Sequence, residues 1–227
     1  MDEADISILC AYTLKVEYSL TDKTFNKFRF AFPASLVNTL ENTKCHVQFL
    51  SGIELVHYPC CPNSCVCFTG PYESLSKCPK CDAPRLKSDG RPQAYFSYLP
   101  LIPHLHAMVV NYSFAQKLQY QFNHQHDSEK MMDVFDGTHF CMLQDSFITI
   151  GGEQLPSFFF SDPHDITLGL STDRFSLLKC HSKAAWLLVI FNYNLPPEER
   201  FQKKHLISLG VIPKKPWDMD SFLWPAV

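Results

Sequence analysis

The chain has 227 residues, of which 46% are apolar and 19% charged; this is enough apolar material for one large domain or two small ones, and it excludes a disordered polypeptide. The formal net charge is −3 with scattered lysines and arginines, which excludes the dense basic stripe typical of tight nucleic-acid binding. The longest apolar run, residues 184–191, is too short to span a membrane and the acidic amino terminus lacks a secretory signal, so the sequence indicates an intracellular, non-secreted protein.

Residues 1–56 form an N-terminal segment of unclear role. Alternating apolar and aromatic residues predict strands over 14–20 and 26–32, and the residues at 34–44 predict a short helix. Cys10 and Cys45 stand alone here, and an isolated cysteine is most often a small buried hydrophobe. The segment therefore offers no candidate site.

Cysteines concentrate in the next segment, residues 57–82, which contains six of the ten in the chain. In a reducing compartment such clusters bind metal or carry out chemistry more often than they form disulfides. Three residues separate Cys61 from Cys65, two separate Cys78 from Cys81, and twelve lie between the two pairs. Four thiolates suit the closed tetrahedral coordination of structural zinc. We therefore predict a zinc-ribbon-like element with these four cysteines as ligands.

Other assignments of these cysteines stay open. Cys60 or Cys67 replaces a neighbouring ligand if the register shifts by one or two residues, and His57 is close enough to do the same. A disulfide staple, half-buried free thiols and a redox pair formed by Cys78 and Cys81 are further alternatives. No strand-then-helix unit surrounds that pair, as a thioredoxin-like site would require.

Residues 83–132 are expected to form a linker followed by helices. The polar stretch 82–94 is punctuated by Pro and Gly, which indicates a linker and a boundary. Apolar residues recur at helical spacing over about 98–122 and are interrupted near Asn111, which predicts two short helices. His124, His126 and Asp127 follow, in a stretch whose composition favours a solvated loop over a metal site.

Residues 133–227 read as extended segments separated by turns. The segments 133–140, 145–160, 165–179, 184–200 and 203–215 alternate apolar, β-branched or aromatic residues with Gly, Pro, Asp and Asn breaks. Gly151 and Gly152 predict a hairpin turn within the second of them. Short connections between consecutive strands favour an antiparallel meander.

The order and spacing of several strings resemble the transposases of CACTA-type DNA transposons, in the version common in fungal genomes. The strings are CPNSCVCFTGPYESLSKCPKC, YFSYLPLIPHL, DVFDG, FFFSDPHDITLGLSTDRF, IFNYNLPPEERF, ISLGVIP and DSFLWPAV. They run from about residue 58 to the end of the chain and correspond to an N-terminal part of the family's sequence. The resemblance implies a zinc-ribbon-like element and an RNase H-like catalytic domain, in which dispersed carboxylates hold two divalent ions that cut and join DNA.

The resemblance assigns Asp173, in LGLSTDRF, as the first of those carboxylates, with Mg²⁺ or Mn²⁺ as the ions. Arg174 stands where the family has Gly, and we expect its guanidinium to compete with the cations. The loop after ISLGVIP is also shorter than the family's by a Gly-Pro pair. Residues 166–173, 184–194 and 205–212 correspond to the first three core strands, and the other two carboxylates fall beyond these residues. Secondary candidates are Asp136, Asp162 and Asp165.

We therefore expect an α+β chain that contains a zinc-ribbon-like element, helices and an incomplete RNase H-like antiparallel meander. Its expected function is that of a transposase fragment without strand-transfer activity of its own. The alternative is a zinc-stabilised module that binds DNA or protein. The resemblance implies a nuclear location and transposon-end DNA as a partner, bound weakly because the net charge is negative. It leaves self-association undecided.

Overall fold

A computed structural model describes residues 1–33, 36–127, 129–176 and 184–226 of the chain. These residues form two compact units, Met1–Glu54 and Leu55–Val227. Within the described residues, no helix combines the length and the apolar character needed to cross a membrane.

The first unit is helical. Its helices are α1 Glu3–Glu17, α2 Asp22–Phe25, α3 Phe28–Ala31 and α4 Leu40–Ser51. A reciprocal capping box between Asp2 and Asp5 starts α1, and Thr39 caps α4. Phe25, Val37 and Leu40 form the small buried core.

The strands predicted over 14–20 and 26–32 are therefore wrong. Residues 14–17 continue the capped helix α1, and the alternating side chains of Leu14, Val16 and Tyr18 are exposed, so the period-two pattern buries nothing. Cys10 and Cys45 are exposed rather than buried. The predicted helix begins later than expected, at Leu40, and residues 34 and 35 lie outside the described residues.

The second unit is built on a five-stranded antiparallel sheet. Its elements are β1 Val56–Cys60, β2 Ala94–Tyr98, α5 Leu101–Val110, α6 Tyr112–Lys117, α7 Tyr120–Asn123, α8 Thr138–Gln144, β3 Phe147–Ile150, β4 Glu153–Phe158, β5 Leu168–Ser176, β6 Ala184–Asn192, α9 Pro197–Arg200, β7 Ile207–Ile212 and α10 Asp220–Leu223. The sheet order is β1-β2-β7-β6-β5, and β3 pairs with β4 in a separate hairpin. One sheet thus takes strands from all three of the predicted segments that follow the N-terminal one, 57–82, 83–132 and 133–227.

The antiparallel meander is confirmed for the last three segments, because β5 pairs with β6 and β6 with β7 in chain order, whereas the segment 145–160 forms the separate β3–β4 hairpin. Residues 177–179, which the prediction included in its third extended segment, lie outside the described residues. The hairpin turn is also confirmed: Gly151 and Gly152 have φ of +59° and +87°, which glycine adopts without strain.

The extended segment predicted over 133–140 is wrong. Asp133 and Asp136 form a reciprocal capping box around a single helical turn, Val134–Asp136, and α8 follows directly. The helical prediction for 98–122 is confirmed in part: α5 ends at Val110 and the Asn111 side chain caps α6, at the predicted break. A third helix, α7, follows where only two were predicted, and Tyr98 belongs to β2. The aspartate and asparagine side chains hydrogen-bond to nearby backbone N–H groups, which decides both boundaries.

One face of the sheet is covered and carries the main core. Leu188, Ile190, Ile207 and Leu209 from β6 and β7 are buried with Phe96 from β2. Side chains from α5 and α10 pack against this cluster. At the junction of β2 and β7, Gly210 has φ of +147°, and a Cβ there would lie 2.6 Å from the Ser97 carbonyl oxygen. The close approach of the two strands therefore requires glycine.

Candidate metal centre

The first half of the metal centre is a tight turn that follows β1. Cys60 and Cys67 are opposite each other in an antiparallel bridge, and inside it the Cys61 N–H donates to the Val66 carbonyl at 2.9 Å. Ser64 has φ of +58° and donates its N–H to the Cys61 carbonyl at 2.7 Å. The turn directs the Cys61 and Cys65 thiols toward the same point.

The second half repeats this construction around Cys78 and Cys81. The Cys78 N–H donates to the Ala83 carbonyl at 2.9 Å, and the Asp82 N–H donates to the Cys78 carbonyl at 2.9 Å. Asp82 has φ of +55°, in the same left-handed region as Ser64 in the first turn. Asp tolerates this conformation better than most residues, so the local sequence suits the turn.

The two turns bring four sulfur atoms together. The Sγ atoms of Cys61, Cys65, Cys78 and Cys81 all lie within 4.8 Å of one another, and those of Cys61 and Cys81 are 3.5 Å apart. Tetrahedral zinc with Zn–S bonds of about 2.3 Å places its sulfurs about 3.8 Å apart. A set of four thiolates also selects soft or borderline ions such as zinc. The quartet thus fits a closed metal site.

The surroundings of the quartet are asymmetric. Cys61 and Cys78 are buried against Val66 and Phe68, whereas Cys81 is exposed. Burial raises the pKa of Cys78. A hydrogen bond from the Ala83 backbone and another from the Asn63 amide lower the pKa of Cys81 to about 6. Cys81 is therefore the thiol most ready to act as a thiolate at neutral pH.

The alternative ligands lie elsewhere. Cys60 and Cys67 are buried in the main core, where burial raises the pKa of each to about 12. His57 is in β1, and its Nδ1 lies 3.0 Å from the Ser97 hydroxyl across the sheet. The nine cysteines in the described part of the chain are all free thiols. Of the predicted sets, the structure brings together Cys61, Cys65, Cys78 and Cys81.

These differences predict an order of alkylation in metal-free, reduced, folded protein. A pH of 7 is above the pKa of Cys81, about 6, so this thiol is mostly thiolate. The same pH is far below the pKa of Cys60 and of Cys67, about 12 each, so both of these thiols stay protonated. A limiting dose of iodoacetamide, read by peptide mass spectrometry, will modify Cys81 first, and zinc will protect it. Equal modification of Cys60 and Cys81 would contradict this assignment.

Asp173 lies in β5, opposite Leu187 of β6, and is exposed. Its Oδ1 accepts the backbone N–H of Arg174 at 2.6 Å. Successive strand residues point to opposite faces of a sheet, so the Arg174 side chain leaves β5 on the face away from Asp173. Strand alternation therefore argues against the expected competition of Arg174 with cations for Asp173.

The secondary carboxylates serve local structure. Asp162 Oδ1 accepts the His164 N–H at 2.8 Å and Asp165 Oδ2 accepts the Asp162 N–H at 3.1 Å, which closes one turn. Across the described ranges, the cysteine quartet is the only group of three or more His, Cys, Asp or Glu residues whose ligand atoms converge closely enough for a metal ion. No group of carboxylates converges in this way among the described residues.

Asp136 has a different role, which the sequence did not indicate. It is buried, and its Oδ1 lies 2.8 Å from His124 Nε2 and 3.2 Å from His126 Nδ1. Its Oδ2 accepts the backbone N–H groups of Met132 and Asp133. The His124 hydrogen bond and these backbone bonds hold the pKa of Asp136 well below its usual range. The expected solvated loop holds for His126, which is half exposed, but His124 is largely buried.

No family model, no curated protein and no solved structure matches the chain. The cysteine quartet is therefore the feature that best supports a function.

Proposed function

We propose that Cys61, Cys65, Cys78 and Cys81 bind one zinc ion and that this ion is structural. The observation that carries the proposal is the convergence of four thiols from two turns, each shaped by its own backbone hydrogen bonds. Four protein ligands complete the tetrahedral shell and leave no coordination position for a substrate or a water. The ion therefore stabilises the segment instead of activating a nucleophile.

We further propose that the chain is part of a CACTA-type transposase, acting in the nucleus on transposon-end DNA. The support is the ordered set of strings described above, together with the cysteine quartet at the place where the resemblance implies a zinc-ribbon-like element. The antiparallel order of β5, β6 and β7 agrees with the first three strands of an RNase H-like domain. Within that proposal β5 presents Asp173 as the first carboxylate.

A single exposed carboxylate does not suffice for the chemistry of that family. Two ions must lie about 3.5–4 Å apart to stabilise the attacking and the leaving oxygen at phosphorus. Asp173 is in contact with the Arg174 N–H, and none of the described carboxylates joins it in a convergent group. The chain as given is therefore proposed to lack strand-transfer activity by itself.

This proposal predicts that the purified chain will leave DNA uncut with Mg²⁺ or Mn²⁺. The measurement is nicking of supercoiled plasmid and of duplexes that carry CACTA-element ends, with Asp173→Ala and Asp162→Ala compared at equal zinc content. Both variants and the unaltered chain should give the same background. Metal-dependent nicking that disappears in Asp173→Ala would show that the active site is complete in these residues, and its loss in Asp162→Ala would identify Asp162 as a further ligand.

A second candidate is a zinc-stabilised module that binds DNA or protein without catalysis. The closed cysteine quartet favours it, because such sites act by shaping a surface. A complementation test separates the transposase part from the independent module. The zinc-loaded protein is mixed with a second chain that supplies the family's other two carboxylates, and the nicking assay is repeated. A transposase part should restore cleavage in that mixture, whereas an independent module should not.

A further inference from the structure

Residues 214–226, called the strap below, lie directly on the first turn of the metal centre. The backbone N–H groups of Trp217 and Asp218 both donate to the carbonyl oxygen of Cys65, each at 3.0 Å. Lys214 Nζ lies 3.2 Å from the side-chain oxygen of Asn63, inside the same turn. The strap is therefore bonded to the backbone of a residue whose thiol belongs to the quartet.

Further contacts extend along the strap. The Ser221 hydroxyl accepts the Cys67 N–H at 2.9 Å, and the Ser221 carbonyl accepts the Thr69 hydroxyl. The Trp224 ring lies against Gly70, so closely that a Cβ at that position would be 2.5 Å from a ring atom. The strap thus follows the chain from Cys65 to Gly70.

The strap also reaches the second turn. The ammonium of Lys80, which lies between Cys78 and Cys81, is 5.4 Å from the centre of the Trp217 ring. A cation at this distance is attracted by the electron-rich face of the indole ring. The strap therefore contacts both turns, and the thiols of these two turns meet at the quartet.

The strap has little structure of its own. Its helix α10 has four residues, and one 3-10 turn follows at Trp224–Ala226. Its internal hydrogen bonds are local: Asp218 accepts from Asp220 and Ser221, and the Met219 carbonyl accepts the Phe222 and Leu223 N–H groups. Isolated helices shorter than about 12–15 residues are marginal in water. Phe222 is 1% exposed and packs edge-on against Phe96 at 5.3 Å. The order of the strap therefore comes from the surface that receives it.

That surface includes both turns of the proposed metal centre. The two turns are joined through the thiol cluster, and Ser64 holds an unfavourable left-handed conformation at the point where the first turn reverses. A bound ion holds the four sulfurs in one arrangement and so fixes the Cys65 carbonyl that accepts two strap N–H groups.

We propose that occupancy of the cysteine quartet controls docking of the strap, so that loss of the ion releases residues 214–226 and uncovers Phe222 and Phe96. This rests on the proposed zinc site. Coupling between two events is reciprocal, so the docked strap also raises the affinity for the ion. The strap is thus a metal-dependent cover on one end of the sheet.

The test is hydrogen exchange by mass spectrometry on the full chain under reducing conditions, zinc-loaded and after removal of zinc by a chelator. Amides of Trp217, Asp218 and Cys67 should exchange at least about tenfold faster after chelation. Amides that pair β6 with β7 should change little. Cys141→Ser, which leaves the quartet intact, should retain the zinc-loaded pattern.

Three results overturn the proposal in distinguishable ways. Absence of bound zinc in freshly purified protein rejects the metal site and the coupling together. Bound zinc with unchanged strap exchange after chelation rejects only the coupling. Equal acceleration in the β6–β7 ladder shows that the ion holds the whole unit and not the strap.

A variant tests the reciprocal effect without touching a thiol. Ser221→Ala removes the acceptor of the Cys67 N–H and leaves the quartet unchanged. We expect a several-fold lower zinc affinity in competition with a chromophoric chelator, because an interaction of about 1 kcal/mol corresponds to roughly fivefold. Unchanged affinity in a variant whose strap exchanges faster would contradict the coupling.

Discussion

Replacing Cys78 by Ser will release the zinc ion and loosen the two turns that carry the quartet. Cys78 is buried beside Cys61, Val66 and Phe68, and its thiol is one of the four that converge. Structural zinc sites in peptides contribute about 10–16 kcal/mol at neutral pH, and three remaining thiolates leave the shell open. Metal analysis of the purified protein and hydrogen exchange over residues 60–92 measure the two effects.

The matched control is Cys141→Ser, in α8 and outside the quartet, which should retain one zinc ion. Serine is close in size to cysteine, so Cys78→Ser should resemble the unaltered protein once a chelator has removed the metal from both. A zinc-free unaltered protein with the same thermal stability as the loaded one would refute a structural role for the ion.

Asp133→Ala will destabilise the second unit by about 3–5 kcal/mol, because it leaves a buried guanidinium without its partner. Arg200 forms a two-bond ion pair with Asp133, at 2.7 and 2.8 Å, and the side chains are 3% and 1% exposed. Tyr120 donates to the same carboxylate at 2.8 Å, and Arg200 also donates to the Leu195 carbonyl at 2.9 Å. Urea unfolding of zinc-loaded protein measures the loss.

The double variant Asp133→Ala with Arg200→Met distinguishes two contributions to the loss of stability: the unpaired charge of Arg200 and the missing contact with Asp133. Because it removes the unpaired charge, it should recover part of the stability that Asp133→Ala loses. A double variant as unstable as the sum of the two single variants would contradict the role of the ion pair.

The ion pair also has a defined pH dependence. Burial raises the pKa of Asp133, but hydrogen bonds from Arg200 and Tyr120 outweigh it and hold the pKa below its ordinary value. A carboxyl group with a lowered pKa stabilises the folded state above its unfolded pKa, about 3.9, and loses this contribution as the pH falls toward the folded value. Acid unfolding of this unit should therefore begin below about pH 4.

The sequence by itself determined the features that depend on neighbouring residues. The spacing of Cys61, Cys65, Cys78 and Cys81 indicated a metal site because each pair lies within one tight turn. The turn at residues 151–152 and the helix break at Asn111 followed from the backbone freedom of glycine and the capping ability of asparagine. The strands β5 to β7 were visible because their apolar runs are long and their connections short.

The tertiary structure decided what depends on residues far apart in the chain. β2 lies between β1 and β7, and no local pattern indicates that residues 94–98 pair with a strand more than 100 residues away. Burial of Cys60 and Cys67 in the main core, rather than in the quartet, depends on residues of β2, β6, β7 and α10 that pack there from distant parts of the chain. The fold also brings the strap to the Cys65 carbonyl. It likewise places His124 beside Asp136. A hydrogen bond between distant segments leaves no periodic trace in either one, so only the folded chain reveals it.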